Sequence, residues 1–130
     1  MKYFINYSWA IIWGVITLIL LFLPSKDLPN VDELNLFAGY DKIIHLGIFY
    51  VLTILLYWQS ARKYQWRNNK WLTIIKTVLA TIIFAGFTEL GQMFISTRSA
   101  DIFDLYADIL GIAIASFSYF LLHPKFIYRK

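Results

Sequence analysis

The chain has no cysteine, and charged residues make up only 15% of its 130 positions, against 59% hydrophobic and 19% aromatic. Without cysteine there is no disulfide framework, no thiolate metal site and no cysteine nucleophile. So little charge cannot cover the apolar surface of a soluble domain of this size. The composition is that of a membrane protein, and the length is that of one domain, 1–130. A third shortage is positional. The ends and connections that share one side of four apolar runs carry no acid. They carry Lys2, Arg62, Lys63, Arg67, Lys70, Lys125, Arg129 and Lys130, with Lys76 just inside the third run. The other side receives every acid: Asp27, Asp32, Glu33, Asp41, Glu89, Asp101, Asp104 and Asp108, with Lys26, Lys42 and Arg98 as its cations. By the positive-inside rule both termini are expected in the cytoplasm and the acids outside. The net charge of +4 then reflects contact with anionic lipid, and no nucleic-acid partner is expected.

The four runs predict an all-α fold, a four-helix transmembrane bundle with spans at about 7–23, 43–60, 71–95 and 102–122. No run alternates as a barrel strand would. Trp9, Trp13, Tyr40, Trp58, Trp71 and Tyr119 fall near run ends, as interfacial aromatics do, and Tyr57 joins that belt. The first run lacks a small-residue cleavage site and reads as an uncleaved helix. Between runs one and two, Asn30 and Glu33 frame a short interfacial helix. Ala107, Gly111 and Ala115 form a small-residue stripe for close helix packing, and Gly86 and Gly91 are expected to do the same in run three. The fourth run is expected to close at His123-Pro124.

The chemistry gathers at the acidic end. Asp41 and Lys42 open the second helix, with His45 one turn deeper. Glu89 and Gln92 share a face of the third. Arg98 lies in the tight loop, and Asp101, Asp104 and Asp108 line one face of the fourth. Glu89 and Asp108 each sit six residues from an outer helix end, about 9 Å below the interface. Carboxylates at that depth must face the interior and find partners. Asp101 and Asp104 also suit a helix cap, whereas buried acids such as Glu89 and Asp108 are a poor source of stability alone.

In order, Asp41-Lys42-x-x-His45, Glu89-x-x-Gln92, Arg98, Asp101-x-x-Asp104 and Asp108-x-x-Gly111 resemble the VanZ-like family of small bacterial membrane proteins, across roughly residues 41–111. One departure is Asp108, where the family usually has asparagine. The resemblance implies a multi-pass protein of the bacterial plasma membrane with its site on the extracytoplasmic side. It also implies a link to resistance against teicoplanin, a lipid-tailed glycopeptide. The expected function is an outward polar pocket that binds a lipid headgroup or a cell-wall-related amphiphile. Lys42 and Arg98 would pair with its anionic groups, and Asp41, Gln92, Asp101, Asp104 and Asp108 would line the rest. The alternative is an enzyme on a lipid-linked substrate, with His45 or Glu89 as acid or base, Asp104 orienting His45, and Arg98 stabilising developing charge. Proton-coupled transport is a lesser alternative. No cofactor is expected and no metal is assigned. A hard cation on Asp104, Asp108 and Glu89 remains open, while zinc is disfavoured by a single outer histidine.

Overall fold

The computed structural model describes residues 5–23, 40–65, 67–95 and 101–127. Among these there are four helices and no strand: α1 (Ser8–Phe22), α2 (Tyr40–Lys63), α3 (Lys70–Gln92) and α4 (Ile102–Ile127). α2, α3 and α4 are long and apolar enough to cross a membrane. α1 has 15 residues, about 22 Å of helix against a hydrocarbon core of about 30 Å. The short helix expected near residue 30, and Arg98, lie outside the described residues.

Helix starts follow local chemistry. The Asn69 side chain accepts from Leu72 N at 3.1 Å and opens α3. Asp101 Oδ1 accepts from Phe103 N at 2.9 Å and opens α4. Each satisfies an amide that the first turn leaves bare. α1 has no such cap of its own. Its neighbours supply the missing partners: Gln59 Oε1 of α2 accepts from Ala10 N at 3.1 Å, and Gln92 Nε2 of α3 donates to Leu21 O at 3.0 Å. Trp13 Nε1 adds a third clamp by donating to Ile48 O at 3.0 Å.

Those clamps make α1 antiparallel to α2 and parallel to α3. α2 and α4 run in the same direction, since Lys42 meets Asp101, His45 meets Asp108 and Tyr57 meets Ser116. Theirs is the most extensive helix pairing in the bundle. The small-residue stripe makes it possible. A Cβ on Gly111 would lie on the carbonyl oxygen of Leu46 and 3.1 Å from Tyr50 N, so only glycine lets the two backbones approach this closely. Ala107 and Ala115 are buried on the same face. Gly91 likewise abuts the Phe22 ring, but Gly86 faces open space and does not serve packing.

The outer surface is apolar. Ile75, Leu79, Ile83 and Phe87 form an exposed stripe along α3, which suits lipid and would be a liability in water. Trp9, Trp58 and Trp71 are exposed. Three expected belt aromatics are not. Tyr57 (1% exposed) stacks on Tyr119 (4%) with ring centroids 4.3 Å apart, and Trp13 packs on the core. Their polar tips find partners inside, which offsets the cost of burying them. α4 also continues past His123-Pro124 to Ile127. A proline there removes one backbone donor near the helix end, where the loss is tolerable. Mid-bundle, Phe49, Leu52, Ala85 and Ile112 form the core. The hydroxyls of Thr17, Thr53 and Thr81 bond to carbonyls of their own helices. Between α1, α2 and α3 runs an apolar groove of about 320 Å³, lined by Ala10, Gly14, Leu18, Leu52 and Phe84.

A buried carboxylate–histidine cluster at the acidic end

α2, α3 and α4 each send polar side chains into one end of the bundle. His45 is fully buried, and its Nδ1 lies 2.9 Å from Asp108 Oδ1, also fully buried. An ionised carboxylate only accepts, so Nδ1 donates and Nε2 is left with its lone pair. Asp104 Oδ2 is 3.9 Å from that Nε2. Glu89 enters from α3, 8% exposed. One ligand atom from each of His45, Glu89 and Asp108 falls within 4.8 Å of the others, and the same holds for Asp41, His45 and Asp104.

The cluster opens towards its surface through Lys42. The ammonium sits 3.1 Å from Asp101 Oδ2 and 3.6 Å from Asp104 Oδ1, with the side chains of Lys42 and Asp101 40% and 38% exposed. Bonds from the Phe103 amide, then from Lys42, hold the Asp101 carboxyl below its ordinary pKa.

Polar demand here exceeds supply. His45 Nε2, Glu89 Oε1, Asp104 Oδ1 and Asp108 Oδ2 are buried with no hydrogen-bond partner among the described residues. The Lys42–Asp104 contact is an ion pair, too long for a hydrogen bond. Withdrawing a carboxylate from water costs several kcal/mol unless partners replace the solvent, and each orphaned polar atom adds about 1–3 kcal/mol. A bundle built for stability alone would not retain four.

The sequence-based site residues divide accordingly. Lys42, His45, Glu89, Asp101, Asp104 and Asp108 come together, with Asp41 at the exposed edge. Gln92 does not join them, because its amide is committed to clamping α1. The orienting partner of His45 is Asp108 rather than Asp104, because Asp108 lies level with Nδ1 on the close-packed α2–α4 face. Arg98 lies outside the described residues. Sequence reasoning missed a second polar network, at the basic end. Tyr57 Oη and Ser116 Oγ are 2.8 Å apart. Asn68 Nδ2 donates to Thr73 Oγ1 and Tyr119 Oη, and Asn68 Oδ1 is 3.3 Å from His123 Nε2. Its only signal was neutral polarity in a basic connection. Beside it lies a cavity of about 400 Å³, reached by Ser60, Tyr64, Asn68 and Lys76.

Comparison with known proteins agrees with this layout. No solved structure matches the chain. An uncharacterised protein of Schizosaccharomyces pombe is 30% identical over 86 residues, 65% of this chain and 49% of its own length, so the chain spans about half of that relative. The family model described as VanZ/LLP1 matches residues 3–123, which contain all four helices up to the end of α4's apolar stretch and every member of the cluster. The chain belongs to the VanZ/LLP1 family.

Proposed function

We propose that this membrane protein binds the polar headgroup of a membrane amphiphile at its acidic end and carries out acid–base chemistry on it. The carrying observation is the His45–Asp108 pair, fully buried, with Nε2 and three carboxylate atoms left unpartnered around it. Asp108 holds the imidazole in one orientation, as a carboxylate does in hydrolytic triads. Glu89 and Asp104 give the site further proton acceptors. Lys42, half-exposed at the mouth, suits a phosphate or carboxylate on the headgroup, and Arg98 is a second cation for that role. The apolar groove along α1 favours an amphiphile over a soluble substrate.

A second reading is binding without turnover. It is favoured by the lack of any cysteine and of a hydroxyl nucleophile motif. In that form the chain would hold a headgroup or wall-related amphiphile and lower sensitivity to a lipid-tailed glycopeptide such as teicoplanin. Transport is disfavoured, because the middle of the bundle holds core apolar side chains and hydroxyls bonded to their own helices.

The test is to incubate purified protein with total lipid extract in nanodiscs and follow headgroups by mass spectrometry. Turnover in the parent, reduced about 100-fold or more in His45→Gln, supports the enzyme. A retained but unchanged lipid supports the binder. Neither retention nor turnover sinks both.

The charge asymmetry supports a reading with this end outside a bacterial plasma membrane. Cysteine-free sequence makes the check direct: Asn69→Cys and Ser99→Cys, probed separately with an impermeant thiol reagent in intact cells. Ser99→Cys should label and Asn69→Cys should not; the reverse pattern would overturn the orientation.

A further inference from the structure

We infer that His45, Glu89 and Asp108 form a binding site for one hard divalent cation of the Mg²⁺ or Mn²⁺ class, with Asp104 beside it. The inference rests on the acidic end being the functional end, as proposed above, and gives that site its missing component.

The argument is one of charge and unmet valence. Three buried carboxylates and one imidazole share a low-dielectric space, and the nearest ammonium, Lys42, is divided between Asp101 and Asp104, leaving Glu89 and Asp108 without a lysine partner among the described residues. One dication between them neutralises most of the excess charge in one step. Three of the four unpartnered atoms are carboxylate oxygens, the ligand type a hard cation prefers. The spacings suit it. One ligand atom from each of His45, Glu89 and Asp108 lies within 4.8 Å of the others. Six-coordinate ligands at about 2.1 Å from a metal lie about 3.0 to 4.2 Å from one another, so side-chain shifts of a few tenths of an ångström close the shell. His45 supplies one imidazole nitrogen, and Glu89 and Asp108 one carboxylate oxygen each, with water completing the shell.

Oxygen-rich ligation with one imidazole and no thiolate disfavours zinc as the resident ion. An ion here would place positive charge where the headgroup's anionic oxygen arrives.

The experiment is binding of Mn²⁺ alone to the purified, chelator-treated full chain, read by the loss of the free Mn²⁺ paramagnetic resonance signal. One ion per chain is expected, with affinity lowered about 10- to 100-fold in Asp108→Asn and Glu89→Gln. Both variants keep side-chain shape, and their melting curves report whether they fold. Mn²⁺ should raise the melting temperature of the parent and not of these variants, while excess Mg²⁺ should compete. Absence of binding at millimolar Mn²⁺ overturns the inference. So does equal binding by folded variants, which marks an adventitious surface site. Lipid turnover that survives chelation and depends on His45, with no Mn²⁺ bound, refutes the ion while leaving the headgroup reading intact. Mn²⁺ bound with no lipid turned over or retained does the reverse.

Discussion

The two ends of this bundle bury similar amounts of polarity and treat it in opposite ways. At the basic end, Tyr57, Tyr119, Ser116, Asn68, Thr73 and His123 are neutral hydrogen-bonding groups, tied to one another across α2, α4 and the connection before α3. At the acidic end the groups are ionisable, and four of their atoms have no partner among the described residues. Each end contains one buried histidine, 0% exposed at position 45 and 3% at 123. His123 stands against the Tyr119 ring and an amide oxygen; His45 stands among carboxylates. A closed neutral network holds helices in register. An open charged one costs stability and is retained for what it meets.

Exchanging the insults between the two ends gives the sharpest test. Asn68→Ala removes a partner of Tyr119 and of His123, at about 1 kcal/mol for each hydrogen bond lost. It should lower the melting temperature in detergent clearly while headgroup binding or turnover persists in the folded fraction. His45→Gln and Asp108→Asn should do the opposite, with function down about 100-fold or more and melting near that of the parent. If Asn68→Ala abolished function without unfolding, or His45→Gln cost only stability, the contrast between the ends would collapse.

A second test acts on the contact that serves both ends. Gly111→Ala sets a Cβ against backbone atoms of Leu46 and Tyr50, which cannot move aside as a side chain could. α2 and α4 must part, at about 1–3 kcal/mol, and Asp108, one turn away, must leave His45. Stability and function should fall together. Gly86→Ala meets nothing within 4 Å and should be neutral or slightly stabilising through helix propensity, by up to about 1 kcal/mol. A Gly111→Ala protein melting at or above the parent would show that close approach is not what holds the pair.

The smallest effect belongs to the exposed rim. Asp101 is held below its ordinary pKa by the Phe103 amide and Lys42. A depressed folded value means that its contribution is present above the unfolded value and lost as pH falls through the folded one. The melting difference between the parent and Asp101→Asn should be small at neutral pH, as exposed pairs and caps are, and should fade as pH drops from about 4 through the depressed folded value. A difference that grew on acidification would have the wrong sign for this arrangement.

Much of the acidic end was legible because lipid makes polarity conspicuous. Glu89 and Asp108 at matching depth in otherwise apolar runs could only face inward, and they do. His45 one turn below Asp41 was equally plain. Other features were not. Tyr57 and Tyr119 look like belt residues by position, but stacking and hydrogen bonds take them inside. Gln92 sits on the face of Glu89 and reads as a ligand, yet the uncapped end of α1 claims it. A polar group near a membrane surface has several possible partners, and spacing along one helix does not choose among them.

By itself the sequence determined the class, four helices of which α2, α3 and α4 are long enough to span, the sorting of charge along the chain and the presence of buried acids, because each follows from the bilayer as solvent and from helical periodicity. Only the tertiary structure decided that the small-residue stripe of α4 faces α2 and that Asp108 rather than Asp104 holds His45. It alone decided that one end closes its hydrogen bonds while the other leaves them open. Those outcomes depend on which helix faces meet and at what distance. Contact between elements far apart in the chain is a property of the packed bundle, where a single missing Cβ at Gly111 sets how closely two backbones approach.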